Sequence, residues 1–172
     1  MNRLFIFLEG ADDVRFFNGI LKDLIQEGYA RVELISYAGM KHIRVNGFIR
    51  GIGAMGDDYL MVADIDNDRN VKTKKQRLKN WYPELETDKV IIVIKEIEGW
   101  YLAGLDDTAA RSLGLRPLPK TDRVTKEKFN KMIPDHYGSR IDLMIEIIKR
   151  YSIQTAQEKN RSFRYFYWKC LE

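Results

Sequence analysis

Two hydrophobic periods alternate along this chain, one typical of strands and one typical of helices. Short runs that are almost wholly apolar predict strands near residues 3–8, 59–63 and 89–94, and a further strand is predicted near residues 31–36. Helical patterns predict helices near residues 13–27 and 41–52, a basic helix near residues 71–81, and a helix after the last strand near residues 96–105. Strands that alternate with helices predict an α/β fold with a mostly parallel sheet.

The pattern changes after about residue 105. Gly114, Pro117 and Pro119 mark a loop, residues 141–151 carry an apolar stripe at helical spacing, and residues 163–169 are aromatic and basic. We therefore predict a core over residues 1–105 and a helical, basic extension over residues 106–172 that packs on the core.

Acidic residues stand directly after the first and third predicted strands. Glu9 and Asp13 follow the first, and Asp64, Asp66 and Asp68 follow the third. If both strands are central and parallel, these acids project from one edge, where open α/β sheets bind ligands. Crowded carboxylates repel each other unless a cation joins them, and Mg²⁺ prefers carboxylate oxygen. The sequence predicts an acidic, metal-binding pocket built from Glu9, Asp64 and Asp66.

These motifs resemble those of the TOPRIM family, which occurs in topoisomerases, primases and several nucleases. The likeness rests on Glu9-Gly10 after the first strand and on the Asp-x-Asp pair of Asp64 and Asp66 after a later one. It implies a Rossmann-like TOPRIM fold, with a mostly parallel four-stranded sheet flanked by helices and a helical basic C-terminal extension.

Further segments resemble the OLD-nuclease branch of that family and its small stand-alone relatives. The loop at residues 9–13 matches a Glu-Gly-x-x-acid pattern, residues 95–103 match a Glu-x-Trp-Leu-Ala segment, and residues 160–164 match a Ser-Phe-Arg element. The chain departs from a full OLD protein because it has no ATPase region and no phosphate-binding G-x-x-x-x-G-K-[ST] loop. It also lacks a topoisomerase's tyrosine domain and a primase's zinc module.

The resemblance and the acidic pattern together define a candidate site. Glu9, Asp64 and Asp66 are the predicted catalytic residues and ligands of Mg²⁺ or Mn²⁺, with Glu9 alternatively a general base. Asp13 and Glu98 are candidates for a second metal, and each acid has a structural alternative as a helix-capping or solvated carboxylate. The full predicted ligand set is Glu9, Asp13, Asp64, Asp66, Asp68 and Glu98.

Composition adds bounds on the class of protein. The chain has 172 residues, of which 45% are hydrophobic and 31% charged, the profile of a globular domain. Its single cysteine, Cys170, excludes an internal disulfide and indicates a reducing compartment. No stretch approaches the roughly 18 apolar residues of a membrane span. We expect a cytoplasmic protein without a membrane partner.

The net charge of +4 conceals an asymmetry along the chain. Residues 1–110 carry 15 basic and 18 acidic side chains, whereas residues 111–172 carry 14 and 7. A basic flank can neutralise phosphates beside an acidic metal site, although basic helices are also often simply solvated. The candidate nucleic-acid contacts are Lys95, Lys120, Arg161, Ser162 and Arg164.

The favoured interpretation is a metal-dependent nuclease that hydrolyses phosphodiester bonds of DNA or RNA. The resemblance implies a role in phage defence or nucleic-acid processing, with a separate ATPase subunit as a candidate partner. The alternative is a non-catalytic, metal-binding TOPRIM module that binds nucleic acid or a partner ATPase. A receiver-like phosphotransfer domain is disfavoured, because receivers carry the acidic pair after the first strand and the lone acid after the third.

Overall fold

Four parallel strands form one sheet in the order β2-β1-β3-β4 in the computed structural model, which describes all residues 1–172. The strands are β1 (Arg3–Leu8), β2 (Arg31–Ser36), β3 (Asp58–Asp64) and β4 (Val90–Val93). Strand β1 pairs with β2 from Arg3 opposite Arg31 to Leu8 opposite Ser36, and with β3 from Leu4 opposite Asp58. The predicted α/β class and four-stranded parallel sheet are confirmed.

Burial differs from strand to strand. Residues 59–63 of β3 are buried because both faces of this central parallel strand are covered, and β4 is fully buried although it is an edge strand. The edge strand β2 has only Val32 fully buried. The continuous apolar runs in β3 and β4 are therefore buried on both faces, whereas the more polar β2 is not.

The strand order contains a reversal at the centre of the sheet. From β1 the chain moves outward to β2, then crosses back to place β3 on the other side of β1. In open α/β sheets such a reversal opens a crevice at the carboxyl ends of the two central strands. Here that crevice lies beyond Leu8 of β1 and Asp64 of β3.

Helices flank this sheet within the first of two compact units, which spans Met1–Ile92. The predicted first helix is one helical stretch with a π-helical segment, Phe17–Leu21, at its centre. The other helix predictions agree with the structure to within about two residues. The helices of this unit are α1 (Ala11–Phe16), α2 (Lys22–Gln26), α3 (His42–Ala54) and α4 (Val71–Trp81), with a 3-10 turn at Thr87–Lys89.

The second unit, Val93–Glu172, begins with the last residue of β4, and its remaining elements are helices joined by loops. The two compact units divide between residues 92 and 93. The core over residues 1–105 and the extension over residues 106–172 stay predictions. Side-chain N-caps at Asp106, Thr125, Ser139, Ser152 and Asn160 divide this unit into short helices. They are α5 (Ile97–Ala103), α6 (Asp107–Ser112), α7 (Lys126–Met132), α8 (Arg140–Lys149), α9 (Ile153–Lys159) and α10 (Arg161–Leu171).

Helix α5 forms the core of the second unit, and all seven of its residues are buried. The Trp100 ring meets Phe163 edge-on, with 5.2 Å between ring centroids. A Cβ on Gly104, at the end of α5, would lie 2.3 Å from the Tyr151 ring, so the close approach there requires glycine. Every helix of the chain is too short or too polar to cross a lipid bilayer.

Candidate active site

Glu9 and Asp64 meet at the carboxyl edge of the sheet. Glu9 directly follows β1 and Asp64 is the last residue of β3, its neighbour in the sheet. The Oε1 atom of Glu9 accepts a hydrogen bond from the backbone N–H of Asp64, at 2.9 Å. The structure therefore brings together the two acids that the sequence assigned to one edge.

Asp66 lies in the turn that follows and has an unusual backbone. Its φ of 53° makes it the only non-glycine residue of the chain with positive φ. Aspartate adopts this left-handed conformation more readily than most residues, because its short polar side chain can bond locally. Its side chain is 50% exposed and forms an ion pair with Lys74, whose Nζ lies 2.6 Å from Oδ2.

Lys74 is a member of the site that the sequence analysis missed. It lies on α4 and is only 3% exposed, an unusual position for a lysine. The sequence carried a signal, since Val71, Lys74 and Leu78 fall on one stripe of the helix. A lysine on the stripe that packs inward requires a partner, and here that partner is Asp66.

Burial and a neighbouring negative charge both disfavour the ionised form of Glu9. Burial raises the pKa of the Glu9 carboxyl, and the neighbouring charge of Asp66 raises it further. The Asp64 N–H, the Lys74 ammonium and the hydroxyl of Tyr37 act in the opposite direction but do not cancel the increase. One buried lysine therefore does not compensate the carboxylates gathered at this edge.

Tyr37 is a second residue that the sequence analysis missed. It directly follows β2, so it lies at the same edge of the sheet, and it is 5% exposed. Its hydroxyl donates a hydrogen bond to the Glu9 carboxylate. Burial and then the charge of Glu9 raise the pKa of Tyr37 well above its ordinary value, so the hydroxyl keeps its proton and remains a donor.

The remaining acids of the two loops have different surroundings. Asp13, on α1, is 6% exposed and close enough to Tyr37 for its charge to raise the pKa of that tyrosine. The side chain of Asp68 is fully buried, with Oδ1 2.9 Å from a guanidinium nitrogen of Arg77. The two groups of that ion pair are close, although their geometry does not meet that of a hydrogen bond. Asp13 thus borders the site, whereas Asp68 is engaged by α4.

A ready-made metal centre is absent from the structure. No group of three or more His, Cys, Asp or Glu side chains is arranged to hold an ion. The donors that do gather, on Glu9, Asp64 and Asp66, are all carboxylate oxygens, the ligands that hard divalent cations prefer. The chemistry of the donor set fits Mg²⁺ or Mn²⁺, with Lys74 supplying the positive charge near Asp66.

Glu98 belongs to the second unit and has its own partner there. It is 3% exposed, and its Oε1 lies 2.5 Å from a guanidinium nitrogen of Arg140. Burial raises the pKa of the Glu98 carboxyl by more than its hydrogen bonds and the charge of Arg140 lower it. The neighbouring Glu96 accepts a hydrogen bond from the backbone N–H of Lys126. Both acids after β4 are therefore engaged within the second unit.

The predicted nucleic-acid contacts divide into buried and exposed residues. Ser162 is 7% exposed, and its Oγ accepts from Trp100 Nε1 at 2.8 Å and donates to Asn160 Oδ1 at 2.9 Å. Its hydroxyl is thus occupied by the core of the second unit. The other four side chains are exposed; they are Lys95, Lys120, Arg161 and Arg164.

Comparisons with known proteins identify no relative of this chain. No family model, no curated protein and no solved structure matches this chain significantly.

Proposed function

We propose that this protein is a metal-dependent hydrolase of nucleic-acid phosphodiester bonds, built on a TOPRIM-like fold. The observation that carries the proposal is the meeting of Glu9, Asp64 and Asp66 where the strand order reverses between β1 and β3. That is the position at which open α/β sheets bind their ligands.

Glu9, Asp64 and Asp66 would hold Mg²⁺ or Mn²⁺ in this proposal, with Asp13 close by. Such an ion, when bound, supplies an activated water and stabilises charge on the reacting phosphate. The raised pKa of Glu9 is consistent with this assignment, because burial first and the charge of Asp66 second both disfavour a carboxylate there that no cation joins. Asp68 and Glu98 have arginine partners and are weaker candidates for ligands.

The chain's own residues would orient the chemistry. Glu9 is fixed by the Asp64 N–H and the Tyr37 hydroxyl; in the alternative in which it does not hold the ion, its raised pKa suits it to accept a proton from an attacking water. Lys74 holds Asp66 and brings a cation to the site, where it would stabilise charge developing on the phosphate. Tyr37 contributes an uncharged donor that keeps Glu9 in place.

A non-catalytic module that binds nucleic acid or a partner ATPase is the alternative function. The Lys74–Asp66 ion pair favours it, since a lysine already neutralises one of the three carboxylates. In that case the acids would stabilise the loop, with or without a metal, and nucleic acid would bind without being cleaved.

A cleavage assay distinguishes these functions. Plasmid DNA, single-stranded DNA and RNA are incubated with the protein and Mg²⁺, Mn²⁺ or EDTA. Glu9→Gln and Asp66→Asn should each lower the rate by about 100-fold or more. Asn tolerates positive φ as Asp does, so Asp66→Asn removes charge while leaving the backbone unstrained.

Asp58→Asn is the matched control, because Asp58 begins β3 and so lies at the opposite end of the strand that Asp64 ends. It should retain full activity. Cleavage that persists in both Glu9→Gln and Asp66→Asn would refute the site, and a wild-type protein that binds but never cleaves would favour the non-catalytic module.

A further inference from the structure

An exposed pair of stacked aromatic rings lies on the surface of the first unit. His42 begins α3 and Trp81 ends α4, and their rings stack with centroids 4.9 Å apart and planes 25° apart. His42 is exposed and Trp81 is 41% exposed. Most tryptophan area is buried in folded proteins, so a rigid, solvent-facing stack of this kind is a candidate contact for a planar ligand.

Two buried tyrosines connect this stack to the candidate active site. The Tyr82 ring meets His42 edge-on at 5.3 Å and meets Tyr37 edge-on at 6.3 Å. Tyr37 in turn donates its hydroxyl hydrogen to Glu9, and the charge of Glu9 also raises the pKa of Tyr82. The stack is therefore continuous, through two ring contacts, with the residue proposed as general base.

Helix α4 connects the same two places along its length. Lys74 contacts Asp66, and Arg77 contacts Asp68. Trp81 lies seven residues after Lys74 and four residues after Arg77. These spacings place the three side chains on one face of the helix. At about 1.5 Å per residue, Lys74 and Trp81 are about 10 Å apart along the axis, or about three steps of a stacked nucleotide strand.

The charge of α4 complements a phosphate backbone. The helix carries five Lys or Arg residues and no acid, and Arg69 precedes it. Arg69, Lys72 and Arg77 are exposed. The segment after α4 carries three exposed acids, Glu84, Glu86 and Asp88. Glu84 forms an ion pair with Arg50 at 3.1 Å, and Glu86 forms one with Lys89 at 3.2 Å. Basic side chains beside an exposed aromatic stack are the combination that binds single strands, whose bases are free to stack.

We propose that the His42–Trp81 stack is a base-stacking platform for single-stranded nucleic acid, whose backbone follows the basic side of α4 towards the acidic edge. Its connection to cleavage rests on the proposed function, but binding to the platform can be measured without cleavage. The substrate class that follows is a strand with unpaired bases near the scissile phosphate, since a duplex keeps its bases stacked on one another.

Binding to two oligonucleotides of equal length tests the platform directly. A fluorescently labelled oligo-dT and an abasic oligomer with the same number of phosphates are titrated with full-length protein in EDTA, and anisotropy is recorded. Trp81→Leu keeps apolar bulk against Tyr82 but removes the flat ring. It should weaken binding to oligo-dT by about tenfold and leave binding to the abasic oligomer unchanged.

Trp168→Leu is the matched control, because Trp168 is 61% exposed but lies on α10 in the second unit. It should bind both oligomers as the wild type does. His42→Ala gives a second, independent variant of the platform and should weaken oligo-dT binding in the same direction, so the test does not depend on the folding of one variant.

Several outcomes would overturn the platform. The first is equal affinity of Trp81→Leu, His42→Ala and the wild type for oligo-dT. The second is a loss of affinity of the variants for the abasic oligomer as large as their loss for oligo-dT, and the third is failure of the wild type to bind either oligomer. The last would rule out a single strand as the occupant of this surface. Absence of cleavage under every metal condition, with the Trp81→Leu binding defect intact, would refute the proposed catalysis and leave the platform standing.

Discussion

Asn160 and Ser162, in the second unit, are almost fully buried and are hydrogen-bonded to several groups. By contrast, Glu9 and Asp66, in the first unit, carry negative charge that the nearby Lys74 does not fully compensate. Asn160 is 1% exposed; its Oδ1 accepts from Ser162 and from the N–H of Phe163, and its amide donates to Thr121. In the first unit, the buried Lys74 pairs with Asp66 and lowers the pKa of Glu9, but burial and the charge of Asp66 raise that pKa by more. The polar groups of the two units therefore differ: Asn160 and Ser162 are satisfied by hydrogen bonds, whereas the carboxylate of Glu9 is not fully compensated by positive charge.

The contrast separates structural polar groups from groups available for a ligand. A buried network with every member paired stabilises the fold, and removing one member leaves its partners unsatisfied. A carboxylate whose pKa is raised by burial and by a like charge is instead a destabilising arrangement that a bound cation would relieve. Substitutions in the second unit should lower stability, and substitutions at the acidic edge should change ligand binding with little loss of stability.

Asn160→Ala should produce the largest effect on folding. It removes the N-cap of α10 and leaves the Ser162 hydroxyl and the Thr121 side chain without this partner. We expect a loss of about 3 kcal/mol in the free energy of unfolding, measured by urea denaturation. Asn70→Ala is the matched control, because Asn70 caps α4 at an exposed position, and it should lose only about 1 kcal/mol.

Equal losses in the two asparagine variants would contradict the distinction between a simple cap and a buried network. A small loss in both would mean that water replaces the side chain at each position.

Arg140→Met should have the next largest effect. It leaves the buried Glu98 carboxylate without its cation, and because Arg140 is itself 21% exposed we expect a loss of about 2 kcal/mol at neutral pH. Adding Glu98→Gln should recover most of that loss, since the uncompensated charge disappears. Urea denaturation of the single and double variants measures the coupling, and a double variant as unstable as Arg140→Met would contradict the pairing.

The fold could be predicted from the sequence because it depends on local patterns. The continuous apolar runs at residues 59–63 and 89–94 mark strands buried on both faces, and the intervening stripes mark helices. Glu9 and Asp64 could be placed together for a related reason: parallel strands share one carboxyl edge, so the residue after each strand reaches the same place.

The partners of the site residues could not be predicted, because they come from distant parts of the chain. Nothing near Ser162 in sequence indicates that its hydroxyl is held by Trp100, 62 positions away. Glu98 meets Arg140 across 42 positions, and Tyr37 reaches Glu9 from the end of another strand. Sequence pattern identifies where a polar group emerges from an element, and tertiary packing decides whether it is available.

Lys74→Met tests whether a divalent cation and this lysine act at the same place. Methionine keeps the buried stem, but the carboxylates lose their cation, so we expect a loss of about 1 kcal/mol in EDTA, since Asp66 is half exposed. Adding Mg²⁺ should raise the melting temperature more for Lys74→Met than for the wild type. Lys72→Met, an exposed lysine of the same helix, should respond to Mg²⁺ as the wild type does. An equal rise in melting temperature with Mg²⁺ in all three proteins would show that Lys74 and the cation do not act at the same place.

Glu9→Gln should have the smallest effect and the opposite sign. The pKa of Glu9 is raised in the folded protein by burial and by Asp66, so the folded state retains the proton that the unfolded chain loses. This contribution to stability is present below the unfolded value of 4.5 and is lost as pH rises through the folded pKa. Glutamine does not titrate and can still accept from the Asp64 N–H. The variant should therefore be more stable than the wild type at neutral pH in EDTA, by a few tenths of a kcal/mol, roughly one degree in melting temperature.

The sign of that small change decides between two roles for Glu9. If its carboxylate served the fold by binding backbone amides at the start of α1, Glu9→Gln would lower the melting temperature at neutral pH. A rise in EDTA, together with a smaller stabilisation by Mg²⁺ than in the wild type, would mean that the charge is retained for a ligand at the expense of the fold. Glu27→Gln, at an exposed position after α2, should leave the melting temperature unchanged in both conditions and so excludes a general effect of removing one negative charge.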